Sequence, residues 1–373
     1  MKILTKLILG CFFLHTTALA ATYNKQVELN FEHDNNIFQQ PIDEISSFIT
    51  KLKPKFEIQH QQRAHAYLLG LESEIGRYAN SSSDDYQDGL LLGQGNWQLS
   101  RRASFLLKGH YQKDHDPRGS TDRTNIGKPL FWHASALSGQ FTYGRRRARA
   151  QLETEAGHLV KRYEDFSLDD LNQTELSTRF FYRVLPKIRL FAEAKHVLTD
   201  YQLAASTQDN KMFNYTVGAK WEPTKKTTGS FKVGYLTKNF DADEREDFAG
   251  ISWELALQWI PISHSKINVA TRQMTSEATG VGDYVLSRDF YIGWTHQWKR
   301  HLASTISFYF AQTDFEGNTT RSDDSHHFNV AVNYDWRKWL SVSVGSQFMQ
   351  RDSTLDGSDF ERMIWFLTLK MVI

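Results

Sequence analysis

Cysteine is nearly absent from this chain: among 373 residues only Cys11 is one. It sits in an N-terminal segment that reads as removable, so the mature chain has no disulfide framework and no thiolate metal site. Proline is scarce, with seven residues. Pro54, Pro117, Pro129, Pro186, Pro223 and Pro261 all border or interrupt strand-like runs, where a missing N–H does least harm. After the first twenty residues no run of about 18 apolar residues occurs, which excludes a helical inner-membrane protein. No charge excess exists either. Without Lys2 and Lys6 the 44 basic residues become 42, against 43 acidic, a formal balance of −1. That argues against a nucleic-acid partner and a polybasic membrane anchor. Also missing are GxSxG, HExxH and phosphate-loop motifs, so no enzyme and no cofactor is expected.

The first twenty residues form a separate object. Lys2 and Lys6 precede the apolar stretch Leu7 to Leu14, and Ala18-Leu19-Ala20 offers a small-residue cleavage site. This predicts a secretory signal peptide over 1–20 and one domain over 21–373. The apolar stretch before Cys11 is very short for a lipoprotein leader.

Aromatic residues are abundant at 13%, and their placement is periodic. An aromatic followed by a short basic turn recurs eight times, every 38 to 46 residues. The copies are Phe56 before HQQR, Trp97 before QLSRR, Tyr143 before GRRR, Tyr182 before RVLPK, Trp221 before EPTKK, Trp259 before IPISHSK, Trp298 before KRH and Trp336 before RKW. Runs of alternating apolar and polar residues flank each copy, and acid-rich stretches separate the copies. In one run, Ile251, Trp253, Leu255, Leu257 and Trp259 oppose Ser252, Glu254, Ala256 and Gln258. Period two over nine or more residues defines a strand with one apolar and one polar face. Nine to eleven residues also suffice for a tilted strand to cross the hydrocarbon layer.

Counting the runs predicts eighteen strands, near 24–33, 45–58, 63–77, 86–98, 102–112, 131–143, 147–161, 171–183, 188–199, 211–222, 229–238, 248–260, 265–275, 287–298, 302–313, 326–336, 340–351 and 360–373. The fold class is all-β: a transmembrane antiparallel up-and-down barrel of about 18 strands. A propeller blade would need four short strands per repeat rather than two long ones. A soluble sandwich has no need of an aromatic at the same turn eight times, whereas a bilayer interface does.

With the apolar face on lipid, the polar face lines a lumen, and 16–18 strands leave an aqueous channel. The lumen-lining candidates are Lys108, Arg149, Glu153, Arg179, Arg189, Glu193, Lys195, Lys220, Glu254, Arg272, Arg351 and Arg362, with Glu72, Glu74, Glu155 and Glu175 beside them. Their mixed signs suggest a wet wall of ion pairs, or a polar track for a hydroxyl-rich chain. The connection Lys113 to Leu130 is the longest, and Pro117, Gly119, Gly127 and Pro129 would let it bend inward as a gate. His326 and His327 alternate faces, so they do not share a metal, and no metal site is expected. Ser135 and His133 share the lipid face of one strand without a marked third member of a triad. The acidic outer loops could share divalent cations with lipopolysaccharide phosphates.

One sharper motif stands at the end of the first strand. Phe31-Glu32-His33-Asp34-Asn35-Asn36-Ile37-Phe38 resembles the "aromatic, x, x, Asp, small polar, Asn, Ile or Val, aromatic" signature of the Putative beta-barrel porin 2 family. Asp34, Asn36, Ile37 and Phe38 carry the match. The similarity extends along the chain as hairpin rhythm, and the departure is the last residue, Ile373, where such barrels usually end on an aromatic. The resemblance implies an outer-membrane porin associated with exopolysaccharide or capsule loci. It would be the exit channel for a secreted polysaccharide, working with a periplasmic polysaccharide export protein and embedded in outer-membrane lipid and lipopolysaccharide. The alternatives are a general diffusion porin for small solutes and a structural or adhesive barrel.

Overall fold

The computed structural model describes residues 21–373 other than 121–126, 205, 225, 281 and 318. The signal peptide expected over 1–20 lies outside the described residues, as does the middle of the 113–130 connection.

Eighteen strands follow one another: β1 (Thr22–Asp34), β2 (Ser47–Gln62), β3 (His65–Tyr78), β4 (Tyr86–Gln98), β5 (Ala103–Asp116), β6 (Leu130–Tyr143), β7 (Ala150–Tyr163), β8 (Leu171–Leu185) and β9 (Ile188–Tyr201) make the first half. The second half is β10 (Asn210–Thr224), β11 (Thr227–Phe240), β12 (Phe248–Trp259), β13 (Ser265–Glu277), β14 (Tyr284–Lys299), β15 (Leu302–Glu316), β16 (Ser322–Arg337), β17 (Leu340–Ser353) and β18 (Phe360–Val372). Each strand pairs with its sequence neighbours, and β1 pairs antiparallel with β18 from Gln26↔Val372 to Asp34↔Ile364. The sheet is therefore a closed cylinder, which leaves no unpaired edge in a medium without water.

Period-two alternation sorts the side chains. Phe31, Leu52, Leu69, Leu91, Tyr111, Leu137, Leu176, Tyr215, Val217, Ile251 and Val344 stand exposed on the outside. On a soluble protein such a belt would be an aggregation surface, whereas on a cylinder in lipid it is the solvated face. At the short-turn end the belt carries aromatics, with Tyr143, Tyr182, Trp259, Trp298 and Trp336 exposed.

Strand starts and ends at the short-turn side lie within two residues of the alternation boundaries, except that β2 continues to Gln62 rather than 58 and β7 begins at Ala150 rather than 147. At the long-loop side they run further: β5 continues to Asp116 rather than 112, β14 begins at Tyr284 rather than 287, and β16 at Ser322 rather than 326. Beyond the hydrocarbon nothing forces one face to be apolar, so alternation fades while ladder hydrogen bonding continues. The 113–130 connection shortens accordingly to residues 117–129.

Candidate functional site: the channel interior and its two mouths

Which face is internal follows from contacts that skip strands. Tyr201 on β9 donates to Glu277 Oε2 on β13 at 3.2 Å, and Lys238 on β11 reaches Glu277 Oε1 at 2.6 Å. Only a path through the cylinder joins β9 to β13. Register then places Lys108, Glu153, Arg179, Arg189, Glu193, Lys195, Lys220, Glu254, Arg272, Arg351 and Arg362 on the inward face.

Arg149 is elsewhere. It precedes β7, in the turn, and its Nε donates to Tyr182 Oη at 2.8 Å, on the outward aromatic belt. The alternation that suggested an inward Arg149 does not extend into the turn, where successive side chains no longer switch faces.

Along the middle of the wall, most charges cancel locally. Arg179 lies between Glu153, at 3.8 Å, and Glu193, which it contacts directly. Lys195 meets Glu175 at 2.9 Å, Lys232 meets Glu254 at 3.1 Å and Arg272 meets Asp289 at 2.5 Å. Across β1–β3, Lys51 pairs with Glu32 at 2.8 Å, Lys53 with Glu74 at 2.9 Å and Lys55 with Glu72 at 2.5 Å. Each pair sits on adjacent strands, so the register of the sheet makes these contacts.

At the long-loop mouth the family motif closes the seam between β1 and β18. Asp34, fully buried, accepts the Asn36 N–H on Oδ1 at 3.0 Å and the Arg362 guanidinium on Oδ2, with Nε at 2.9 Å. Asn36 is equally buried. Its Nδ2 donates to the Gln40 carbonyl at 2.7 Å and the Glu361 carbonyl at 2.9 Å, while Oδ1 accepts the Gln40 N–H at 3.0 Å. Asn and Asp are the residues that combine a tight turn with such bonding. Ile37 fills the pocket beneath, at 5% exposure, and its N–H reaches the Ile45 carbonyl at 2.9 Å.

Phe38 receives the start of the connection that leaves β5. The Arg118 guanidinium carbon lies 3.5 Å from its ring centroid, and Arg118 Nε donates to Asp84 Oδ1 at 2.7 Å. Gly119 has φ +74°, and a Cβ there would stand 2.4 Å from the Phe38 carbonyl oxygen, so no side chain fits. On the far side Arg351 of β17 donates to the Gly119 carbonyl at 3.4 Å. The segment leaving β5 thus leans over the side of the opening bounded by β1–β4 and meets β17, six of eighteen strand positions round the cylinder. Burial alone would raise the Asp84 carboxyl, and hydrogen bonds from Arg118 and Ser81 outweigh it, leaving the group below the usual carboxylate range. A second clasp joins three more loops: Arg245 donates to Thr207 Oγ1 at 2.8 Å and to Asp283 Oδ1 at 2.9 Å.

Near this mouth Asp88, Asp114 and His115 place one ligand atom each within 4.8 Å of one another. His115 Nδ1 already lies 3.0 Å from Asp88 Oδ2, and its ring stacks 4.0 Å from Tyr86. This grouping escapes sequence reasoning because its members come from two strands. His326 and His327 diverge as alternation requires: His327 lies on the inward face opposite Tyr309, and His326 packs outside against Phe310. On the lipid face His133 packs against Tyr111, and no triad forms around Ser135 among the described residues.

The short-turn mouth is built differently. Arg146 and Arg147 from the β6–β7 turn, Arg183 and Lys187 from the β8–β9 hairpin, and the inward Arg189 and Lys220 surround a cavity of about 370 Å³ whose one carboxylate is Glu222. Gly144, at φ +104°, opens that turn; a Cβ there would lie 2.6 Å from the Ala150 carbonyl oxygen.

A closed cylinder of eighteen amphipathic strands, apolar and aromatic outside and polar inside, defines an outer-membrane β-barrel porin, a channel rather than an enzyme. The chain belongs to the family described as Putative beta-barrel porin 2, whose model matches residues 22–372. Its place is the bacterial outer membrane. Among solved structures it is similar to the outer membrane protein OpdK from Pseudomonas aeruginosa, with a TM-score of 0.54, 9% identity, and coverage of 94% of this chain and 99% of that one. OprD from the same organism matches with a TM-score of 0.51, 10% identity and coverage of 94% and 95%. OpdK crystallised with vanillate gives a TM-score of 0.54 at 10% identity, with coverage of 94% and 99%. These likenesses concern the fold. No curated protein matches the chain.

Proposed function

We propose that the barrel is a diffusion channel for small solutes. The carrying observation is that Arg118 and Gly119 fold over one side of the long-loop mouth, held by Phe38, Asp84 and Arg351. A segment fixed over part of the opening narrows it and favours the passage of compact molecules. The internally cancelled wall charges give a wet, low-affinity surface, which diffusion requires. Similarity in fold to OpdK, solved once with vanillate, supports a small-molecule cargo.

The second reading is the exit channel for an exopolysaccharide or capsular polysaccharide, with a periplasmic export protein as partner. It draws on the family motif, Asp34 to Phe38, and on the same paired wall, along which a hydroxyl-rich chain could slide on exchangeable hydrogen bonds. The fixed segment at the mouth favours the first reading. In both, lipid and lipopolysaccharide surround the apolar belt.

The test joins two measurements. Purified barrel in liposomes should admit mono- and disaccharides in a swelling assay and exclude oligosaccharides. A deletion strain should retain its surface polysaccharide. Loss of that polysaccharide, together with no sugar permeation through the purified barrel, would give the polymer reading the decision.

A further inference from the structure

Charge is distributed unevenly along the channel. Through the middle, cations and carboxylates neutralise one another within the wall. At the short-turn mouth cations are in excess: among the described residues lining the cavity six side chains are cationic and one, Glu222, is a carboxylate. Glu222 is itself engaged by Arg146 Nη2 at 2.5 Å. The cavity near the opposite mouth has both signs interspersed, with Lys53, Lys55 and Lys113 beside Glu28, Glu72, Glu74, Asp88 and Asp114.

The cations are also held in place. Arg189 stacks with its guanidinium carbon 4.7 Å from the Phe181 centroid, and Nη1 donates to Gln151 Oε1 at 3.0 Å. Lys220 Nζ stands 5.2 Å from Phe181 and 5.9 Å from Phe191. Phe181 is 1% exposed and Phe191 6%, so both rings form a rigid floor. The Arg146 guanidinium also binds Glu222, 76 residues away, and ties the Gly144–Arg149 turn to β10. Like charges so close repel; Glu222, Glu153 and Glu193 offset only part of that repulsion, so the excess of cations lowers its free energy by taking up an anion. Guanidinium forks match carboxylate and phosphate oxygens, two bonds at a time. A volume of about 370 Å³ suits a compact molecule.

We propose that this cavity is a binding site for a small multivalent oxyanion bearing carboxylate or phosphate groups. It makes anions the preferred cargo of the channel and, as a statement about transport, rests on the diffusion-channel reading. An anion entering past the neutral wall meets the site last, at the mouth that faces the periplasm in an outer-membrane barrel.

The experiment is titration calorimetry of the detergent-solubilised full barrel at low ionic strength, with citrate and with pyrophosphate as probes. The unmodified barrel should bind at least one probe near 1:1, with affinity falling as sodium chloride is added. The double variant R189Q/K220Q should lose tenfold or more, and the turn variant R147Q several-fold, while K211Q, on an exposed ion pair at the other end, should match the unmodified protein. Binding of citrate alone identifies a carboxylate site, and of pyrophosphate alone a phosphate site. The double variant counts only with the folded gel mobility of the unmodified barrel, and where it lacks that mobility R147Q, in the turn, carries the test. Binding of neither probe overturns the proposal, as does undiminished binding in both R189Q/K220Q and R147Q. Single-channel conductance of the unmodified barrel in potassium chloride tests the channel reading separately: a silent barrel that still binds citrate leaves the site standing and removes the transport role.

Discussion

At the long-loop mouth, charges of opposite sign come together and tie loops to one another. At the short-turn mouth, charges of one sign are collected and kept apart by aromatic rings. The same hairpins supply both ends, yet Asp34–Arg362, Arg118–Asp84 and Arg245–Asp283 are partnered where Arg147, Arg189 and Lys220 face a common space. Long connections can fold back until complementary groups meet. Turns of a few residues reach less far: Arg146 meets Glu222, but Arg147, Arg189 and Lys220 stay where the strands leave them. One mouth is therefore organised for shape and the other for electrostatic potential.

Breaking the first mouth at its most buried point should have the largest effect. Asp34→Ala removes the carboxylate facing Arg362 and should cost about 3–5 kcal/mol, since a buried cation loses its partner. The thermal unfolding midpoint in detergent should drop accordingly, and an unchanged midpoint would mean the seam is held by the ladder alone. Next comes the belt between the mouths. Arg at Leu255, on lipid, should cost about 2–4 kcal/mol if near the midplane, and Arg at its inward neighbour Ala256 much less. Equal costs in folding titrations would contradict the assignment of faces.

Arg118→Ala should leave stability nearly unchanged while raising single-channel conductance, because it frees the segment leaning over the mouth from both Phe38 and Asp84. Acid should do the same reversibly. The Asp84 carboxyl is lowered in the folded protein, so its contribution is present above the unfolded carboxylate value, about 3.9, and is lost as pH falls through the lower folded value. Conductance should stay flat from neutrality to about pH 5 and increase only below the ordinary carboxylate range. An increase already at pH 6 would implicate a histidine instead. The gentlest test concerns orientation: cysteine at Asp243 should react with an impermeant thiol reagent on intact cells, and cysteine at Lys338 only after the outer membrane is permeabilised. The opposite pattern would exchange the two mouths.

Much of this barrel was legible from local chemistry. Alternation in Ile251 to Trp259 sets a strand's two faces because lipid and water demand opposite residues, and aromatics before basic turns mark the interface where rings sit half wet. Arg149 was misread because it lies one residue before β7, where alternation has no force. The upper ends of β14 and β16 were cut short because the pattern depends on lipid, which ends before the strands do. Neither Arg118 nor Arg146 stood out, since nothing near either in sequence names Asp84 or Glu222 as its partner.

The sequence by itself determined how many strands there are, which face of each meets lipid and at which end the aromatics and basic turns lie. These follow from side-chain period and turn chemistry within a dozen residues. Only the tertiary structure decided that β1 closes on β18 through Asp34, Asn36 and Arg362, that Arg118 ties the segment leaving β5 to Phe38 and Asp84, and which inward charges cancel. Those outcomes depend on register, twist and loop path, which bring groups up to 328 residues apart within a hydrogen bond's length.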